Sequence, residues 1–348
     1  MLASARFPIA EPFAGGLEAH TWALARQHDV DGLKVTLYAL PGSDPVFQVA
    51  PLPAPPVLSS DARADLSIGP EAAMGEHHAY LGAMLDIAER ADEFDVVHNN
   101  AIHHLPVALA ATLTQPIITT LHTPPTAWLE SAILLRGPHR AGAFVAVSRA
   151  TAAAWHHLLG DVPVIRNGID LAAWSPGPGG PHAVWTGRLV PEKAPHLAID
   201  AARRAGVGIR LAGPRHDPVY WRDEVEPRLG PDARWVGHLD CAALRRLVGG
   251  SCVTLLTPDW DEPFGLVALE SLAAGTPVAA FARGGITDIV DDAGGRLVPA
   301  GEVDALAAAL RSCARLDRRG VRRRAEAIGC VQRMAAEYRD VYRKLLAG

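Results

Sequence analysis

The sequence has 348 residues, of which 49% are hydrophobic and 20% charged, a composition typical of a globular protein. At roughly 100–200 residues per domain, this length predicts two domains. The formal net charge of −5 argues against a general nucleic-acid binder, and no apolar run approaches the ~20 residues that a membrane-spanning helix needs.

The charge is divided unevenly along the chain. Residues 1–165 carry 8 Lys and Arg against 16 Asp and Glu, whereas the remaining residues carry 25 against 22. The acidic first half would not be attracted to anionic lipid, and the second half could suit an anionic small molecule or simply be a solvated surface. The N-terminal residues lack the apolar core of an export signal, and four scattered cysteines form neither a disulfide framework nor a zinc motif. We therefore expect a cytoplasmic protein.

Strand-like apolar runs alternate with helix-like stretches along the chain. After a short first strand at 2–5, the first series of predicted strands covers residues 33–40, 94–98, 116–122, 143–147 and 162–166. The helices between them are predicted over 16–27, 71–91 and 149–159, and the proline-rich residues 41–56 predict a long loop. The second series of strands covers 183–187, 208–212, 234–236, 252–257 and 278–282. Its helices are predicted over 194–205, 242–248 and 263–274.

These strands are nearly continuous in Val, Ile, Leu and Ala rather than alternating, which is typical of parallel strands covered by helices on both faces. The fold class is therefore α/β, with two Rossmann-like doubly wound parallel-sheet domains that face each other across a cleft. Residues 175–181 contain three prolines and three glycines and predict a linker. We expect domains over 1–172 and 182–331, with a last helix, about 332–348, packing back on the first. Ligands of such sheets bind outside the carboxyl ends of the strands, here in the cleft.

Common cofactor and hydrolase motifs are absent from the sequence, which contains no GxGxxG, GxxxxGK[ST], GxSxG or HExxH. Histidine pairs at 77–78, 103–104 and 156–157 raise the question of a metal site. Adjacent histidines on a helix point about 100° apart and do not easily share an ion. We therefore expect no metal ligands.

The segment EPFGLVALE carries the most informative chemistry. Glu262 lies in a loop, and Pro263 is expected at the first position of a helix. The amides of Phe264, Gly265 and Leu266 would then open a helix N-terminus, which suits a phosphate. Gly265 would let the ligand approach the backbone closely.

Two carboxylates and two cations accompany that N-terminus. Because a bound diphosphate repels carboxylates, Glu262 and Glu270 are expected to accept hydrogen bonds from hydroxyls, for example of a sugar and a ribose. Arg188 and Lys193 lie in the loop after the strand 183–187, where two cations can neutralise a diphosphate leaving group. Lys193 is one of only three lysines in the chain.

Five motifs together resemble those of the retaining GT-B glycosyltransferases of family four, in family order over nearly the whole chain. They are PFAGGLEAH at 12–20, VAVSRAT at 145–151, IRNGID at 165–170, AVWTGRLVPEK at 183–193 and the E-x7-E pattern at 262–270. The resemblance implies transfer of a hexose from a nucleotide diphosphate sugar to an acceptor hydroxyl. It also implies that the anomeric configuration is retained and that no metal or other cofactor takes part.

The resemblance implies roles for residues of both domains. Glu270 would hold the ribose hydroxyls of the donor, and Glu262 the hydroxyls of its sugar. Arg188 and Lys193 would bind the diphosphate, and His122 would lie near the donor sugar and the acceptor. Gly15 and Gly16 would form a loop over the phosphates, and Val236 and Gly237 would lie at a strand end near the base. The amides of Phe264, Gly265 and Leu266 would lie near the sugar and the β-phosphate.

The sequence departs from the family pattern at Ala194, where Gly is usual, and at Asp288, where Glu is usual. Ala194 leaves the geometry of its loop open, and the short first strand leaves the stability of a sheet edge open. We expect the cleft to narrow when the donor binds, with Gly15 and Gly16 moving towards Arg188.

The leading hypothesis is hexosyl transfer to a soluble small molecule or a glycan intermediate. The alternatives are a phosphorylase or nucleotide-sugar epimerase on the same scaffold, and a non-catalytic nucleotide-sugar-binding protein. The expected partners are a UDP-, GDP-, ADP- or dTDP-sugar and a hydroxyl acceptor, with no nucleic acid and no strong membrane signal.

Overall fold

The computed structural model describes residues 1–65 and 69–347. Its strands form two groups of parallel strands joined by helices, which confirms the predicted α/β class. In the first half of the chain the strands are β1 (Thr36–Ala39), β2 (Gln48–Pro51), β3 (Val97–Asn99), β4 (Ile117–Leu121) and β5 (Ala143–Ala146). In the second half they are β6 (Ala183–Thr186), β7 (Ile209–Ala212), β8 (Ala233–Trp235), β9 (Thr254–Leu256), β10 (Val278–Phe281) and β11 (Gly295–Val298).

The helices cover both faces of the sheets. Those of the first half are α1 (Gly16–Val30), α2 (Ser60–Arg63), α3 (Glu71–Glu89), α4 (His104–Ala108), α5 (Ala127–Arg136) and α6 (Arg149–Leu159). Those of the second half are α7 (Pro195–Ala205), α8 (Pro218–Tyr220), α9 (Cys241–Gly249), α10 (Leu266–Ala273), α11 (Ile286–Ile289), α12 (Val303–Cys313), α13 (Arg318–Ile328) and α14 (Val331–Ala347). Among the described residues, no helix is long and apolar enough to cross a membrane.

The N-terminal residues lie inside the first sheet. Leu2 forms parallel bridges with Tyr38 of β1 and with Asn99 of β3, and it is fully buried. The short first strand, which left the stability of a sheet edge open, is therefore an inner segment of the sheet with backbone pairing on both sides. The strand predicted at 162–166 is reduced to one bridge, between Ala146 and Val164. The predicted long loop 41–56 contains β2, which pairs with β1.

The second sheet has six parallel strands in the order β11-β10-β9-β6-β7-β8. All four residues of β6 and of β10 are buried, which is why these strands contain only apolar residues apart from Thr186. The strand order reverses between β6 and β9, the topological switch point where open α/β sheets bind ligands. The loops after these two strands contain Arg188, Lys193 and Glu262.

The chain passes between its two halves at two places, near Ile169 and near Cys330, and these two segments lie next to each other. Ile169 pairs with Cys330, through hydrogen bonds from Ile169 N to Gly329 O (2.8 Å) and from Val331 N to Ile169 O (3.1 Å). Residues 175–181, the predicted linker, form neither a strand nor a helix. The Arg318 guanidinium donates to Gly177 O at 3.2 Å, which anchors this segment to α13.

The last helix returns to the first half of the chain. α14 contacts α1, and its buried side chains share a core with Leu24, Ile118 and Val145. Those side chains are Val331, Met334, Ala335, Tyr338 and Tyr342.

Candidate active site

A cavity of about 390 Å³ lies between the two sheets, at the carboxyl ends of strands from both. Most of the residues singled out in the sequence line it: Gly15, Gly16, His122, Arg188, Lys193, Glu262, Phe264, Gly265, Leu266 and Glu270. Val236 and Gly237 do not line the cavity, whereas the next two residues, His238 and Leu239, do; the chain turns at Gly237, whose φ is +95°. The place of Val236 and Gly237 near the donor base stays a prediction.

The helix of the EPFGLVALE segment begins later than expected. α10 starts at Leu266, and Gly265 is its N-cap with a left-handed φ of +94°. Pro263 therefore precedes the helix, and the prediction that it occupies the first helical position is wrong. A Cβ on Gly265 would lie 2.9 Å from Ile286 Cγ1, so local conformation and packing already require glycine there. The first amides of α10 still lack acceptors within the helix.

The Glu262 loop is held by both halves of the chain. Ser148 Oγ and Thr151 Oγ1, at the start of α6, donate to Pro263 O at 2.5 and 3.0 Å. On the other side, Gly285 N donates to Glu262 O at 2.6 Å. These contacts give the VAVSRAT motif a structural role: its hydroxyls position the loop.

A second contact joins the halves nearby. The Asp288 carboxylate, 6% exposed, accepts from Arg149 N at 2.7 Å and from Arg149 Nε at 2.8 Å. The acid at this position is therefore tied to the start of α6. On the opposite side of the cleft, a Cβ on Gly16 would lie 3.6 Å from Leu266 Cβ, so α1 already approaches α10. Further narrowing of the cleft on binding stays a prediction.

Lys193 and Glu262 form an ion pair at the wall of the cavity. Lys193 Nζ lies 2.5 Å from Glu262 Oε2, which also accepts from Trp260 Nε1 at 3.1 Å. The ammonium lies 4.9 Å from the centre of the Trp260 ring, within reach of a cation–π interaction. One oxygen of Glu262, Oε2, is thus engaged by Lys193 and Trp260, and the expected contact of this carboxylate with sugar hydroxyls stays a prediction. Glu262 holds the lysine, and a bound anion would compete with it for that charge.

The loop that presents Lys193 depends on an unusual backbone conformation. Ala194 has φ 42° and ψ 52°, the left-handed region in which glycine is favoured. The Thr257 hydroxyl lies 2.8 Å from Ala194 O and supports the turn. The loop geometry that the sequence left open is therefore formed with alanine. Arg188, in the same loop, is one-third exposed and lies 3.7 Å from Glu192.

Glu270, on α10, is a partly buried acid that lines the cavity. Burial raises its pKa to about 8, and the positive charge of Arg245 opposes this shift only in part. The group is therefore largely protonated at neutral pH, and it can donate as well as accept a hydrogen bond.

His122 faces the cavity from the end of β4. Its Nε2 lies 3.0 Å from Asn100 Oδ1, so the Asn100 side chain orients the ring by a hydrogen bond. Burial lowers the pKa of His122 well below its usual value, helped by His20, whose ring centre is 4.9 Å away. The imidazole is therefore neutral. His98, at the end of β3, instead bonds Thr120 and Tyr342 within the core.

Glu18 was not identified in the sequence analysis. It lies in the first turn of α1, lines the cavity and is 4% exposed. Burial raises its pKa, while Arg188 and Arg6 act in the opposite direction. The available signal was its position two residues after the glycine pair of GGLEAH, where it faces the cleft from the first half of the chain.

The comparisons with known proteins agree with this geometry. Residues 14–173 match the family model "Glycosyltransferase Family 4", and residues 175–327 match "Glycosyl transferases group 1". A glycogen synthase of Mycobacterium tuberculosis is 32% identical over 274 residues, which cover 69% of this chain and 65% of that protein. The chain thus spans less than two thirds of the length of this relative.

Solved structures show the same fold. AviGT4, a glycosyltransferase involved in avilamycin A biosynthesis, matches with a TM-score of 0.73 at 23% identity, over 100% of this chain and 98% of that one. HepE from Anabaena, solved in complex with UDP and glucose, matches with a TM-score of 0.76 at 19% identity, over 98% of each chain. The fold is therefore GT-B. With both halves matched by glycosyltransferase family models, the chain belongs to the GT-B glycosyltransferases of the family-four type.

Proposed function

We propose that this protein transfers a hexose from a nucleotide diphosphate sugar to an acceptor hydroxyl, with retention of the anomeric configuration and without a metal ion. One observation carries the proposal: the Lys193–Glu262 pair and Glu270 line one cavity at the switch point of the second sheet. That cavity is closed from the first half of the chain by Gly16 and His122.

The diphosphate would lie between the start of α10 and the two cations. The free amides of a helix N-terminus carry partial positive charge, and Arg188 and Lys193 add two full charges on the adjacent loop. A phosphate at Lys193 Nζ would displace the Glu262 carboxylate, which now lies 2.5 Å from it. The freed carboxylate could then accept hydroxyls of the donor sugar. In this proposal, the ion pair keeps both groups in place until the donor arrives.

Two cations at the leaving diphosphate would supply the charge stabilisation that a metal ion supplies in other transferases. The charge on the β-phosphate grows as the bond to the sugar breaks, so Lys193 would stabilise the transition state more than the bound donor. The neutral His122 and the buried Glu18 would face the acceptor and the sugar from the first half of the chain. The complex of HepE with UDP and glucose supports a donor of this class.

The proposal is tested by measuring sugar release and transfer from UDP-, GDP-, ADP- and dTDP-hexoses in the presence of EDTA. We expect turnover with one donor base, and an NMR coupling constant of the product that matches the donor anomer. Loss of all turnover in EDTA would contradict a metal-independent reaction, and a product of the opposite anomeric configuration would contradict retention. Nucleotide binding without turnover, with a wide panel of acceptors, would favour a non-catalytic protein.

Variants connect the activity to the site. Glu262→Gln should lower turnover more than nucleotide affinity, because its carboxylate would contact the sugar rather than the nucleoside. The exposed Glu226→Gln serves as the matched control, since it makes the same chemical change on a surface turn. Equal effects of the two substitutions would remove Glu262 from the proposed mechanism.

A further inference from the structure

Three imidazoles converge outside the donor cavity. His77 lies on α3, and His103 and His104 lie at the start of α4. One ring nitrogen from each of the three comes within 4.8 Å of the others. The sequence argument against such a cluster assumed that adjacent histidines share a helix. Here His103 is the N-cap, with an extended backbone, and the His103 and His104 rings stack with centres 4.3 Å apart.

The surrounding aromatic rings orient this cluster. Tyr80 stacks on His103 with ring centres 4.7 Å apart, and Trp128 stacks on His104 at 5.1 Å. Trp128 is 72% exposed, so it covers one side of the cluster while remaining open to solvent. The buried Tyr80 fixes the other side, because its hydroxyl accepts from Ala5 N at 2.7 Å. Stacking on Tyr80 and Trp128 therefore positions the His103 and His104 rings without using the lone pairs of their nitrogens.

We propose that His77, His103 and His104 form a binding site for one divalent transition-metal ion of the zinc class. Neutral imidazole is a preferred ligand of such ions, and three imidazoles with one open position form a known type of zinc coordination. Tetrahedral zinc with bonds of about 2.0–2.1 Å holds its nitrogens roughly 3.3 Å apart. The three nitrogens must therefore approach one another from their present spacing. The exposed His77 can do so by side-chain rotation.

Binding also requires a change at His103. Its Nδ1 accepts from Leu105 N at 3.2 Å, so in the neutral ring the proton is on Nε2. An ion at either nitrogen therefore replaces this capping bond. We expect binding to be weaker than at a preformed site for that reason.

The site is separate from the donor chemistry. It shares no residue with the Lys193–Glu262 region, and it lies on the first half of the chain. Ile102, the residue before His103, lines the donor cavity, which puts the cluster next to the rim of the cleft. The proposal thus goes beyond the proposed hexosyl transfer and does not require it.

Calorimetric titration of ZnCl₂ into the tag-free protein, first treated with chelator, tests the proposal. We expect one ion per chain, and with CoCl₂ the visible absorption bands of tetrahedral cobalt. His77→Gln should weaken binding by more than the ~10–100-fold that loss of a second-shell partner costs. His78→Gln, the same change one residue further along α3, should leave the affinity unchanged.

His77 is exposed, so its replacement should not disturb folding. Thermal unfolding gives a second readout: zinc should raise the Tm of the wild-type protein and of His78→Gln, but much less that of His77→Gln. Binding of several weak ions, or equal zinc affinity of the two variants, would overturn the proposal. Unaltered binding in the double variant His103→Gln/His104→Gln, if it folds, would do the same.

Discussion

Replacement of Glu270 by Gln should make the protein more stable at alkaline pH while weakening nucleotide binding. Burial raises the pKa of Glu270 from the ordinary 4.5 to about 8. The unfolded chain has no such burial, so between these two values the folded state binds more protons than the unfolded state. The free energy of unfolding should therefore fall as the pH rises from about 4.5 to about 8. Glutamine is neutral throughout and lacks this dependence.

The size of the effect follows from the two pKa values. One pKa unit corresponds to ~1.4 kcal/mol, so the full difference sets an upper limit of about 5 kcal/mol for the stabilisation by glutamine above pH 8. Near pH 4.5 the two proteins should be almost equally stable. Urea unfolding at a series of pH values measures this directly, as a shift of the midpoint at constant slope. Glu226→Gln, an exposed change of the same type, is the control.

The functional half of this prediction uses the same variant. If Glu270 holds ribose hydroxyls, the amide should weaken nucleotide binding, because its NH₂ group can only donate a hydrogen bond, whereas either oxygen of the carboxyl group can accept one. A residue that costs stability but supports binding is expected at a functional site. Equal stabilities of the wild-type protein and the variant at pH 5 and pH 8.5 would refute the burial argument. Unchanged nucleotide affinity would refute the assignment to the donor.

Three further predictions concern one residue of the cavity, one helix cap and one contact between the halves of the chain. Lys193→Ala should lower nucleotide affinity and turnover together, measured by calorimetry and initial rates; an effect on neither would remove Lys193 from the site. Asp240 caps α9 by accepting from Ala243 N, so Asp240→Ala should cost ~1 kcal/mol in urea unfolding. Asp288→Asn removes the charge that Arg149 contacts and should cost roughly 1–3 kcal/mol in the same assay; no loss would mean that this contact between the halves is unimportant.

Sequence patterns predicted the fold well because its strands are buried on both faces. Runs such as 183–187 and 278–282 are mostly apolar, and they mark β6 and β10 closely. The pattern failed where pairing rather than composition defines a strand. Leu2 needs only two bridges because strands lie on both sides of it, and β2 forms within a proline-rich segment because it pairs with β1.

The residues of the site could be predicted where they lie together in one sequence motif. They could not be predicted where contacts between residues far apart in the sequence decide the geometry. The ion pair between Lys193 and Glu262 joins residues 69 positions apart. The start of α10 depends on Gly265 packing against Ile286, which no local pattern reveals. Glu18 carries no signal beyond its neighbouring glycines. The convergence of His77 with His103 depends on how α3 packs against α4.

Calorimetric binding of UDP, GDP, ADP and dTDP to the purified chain, with EDTA present, tests the central claim most directly. The account predicts that one of the four binds in the micromolar range without a metal ion, and that binding weakens in both Lys193→Ala and Glu270→Gln. Absence of binding by all four nucleotides to a demonstrably folded protein would contradict it.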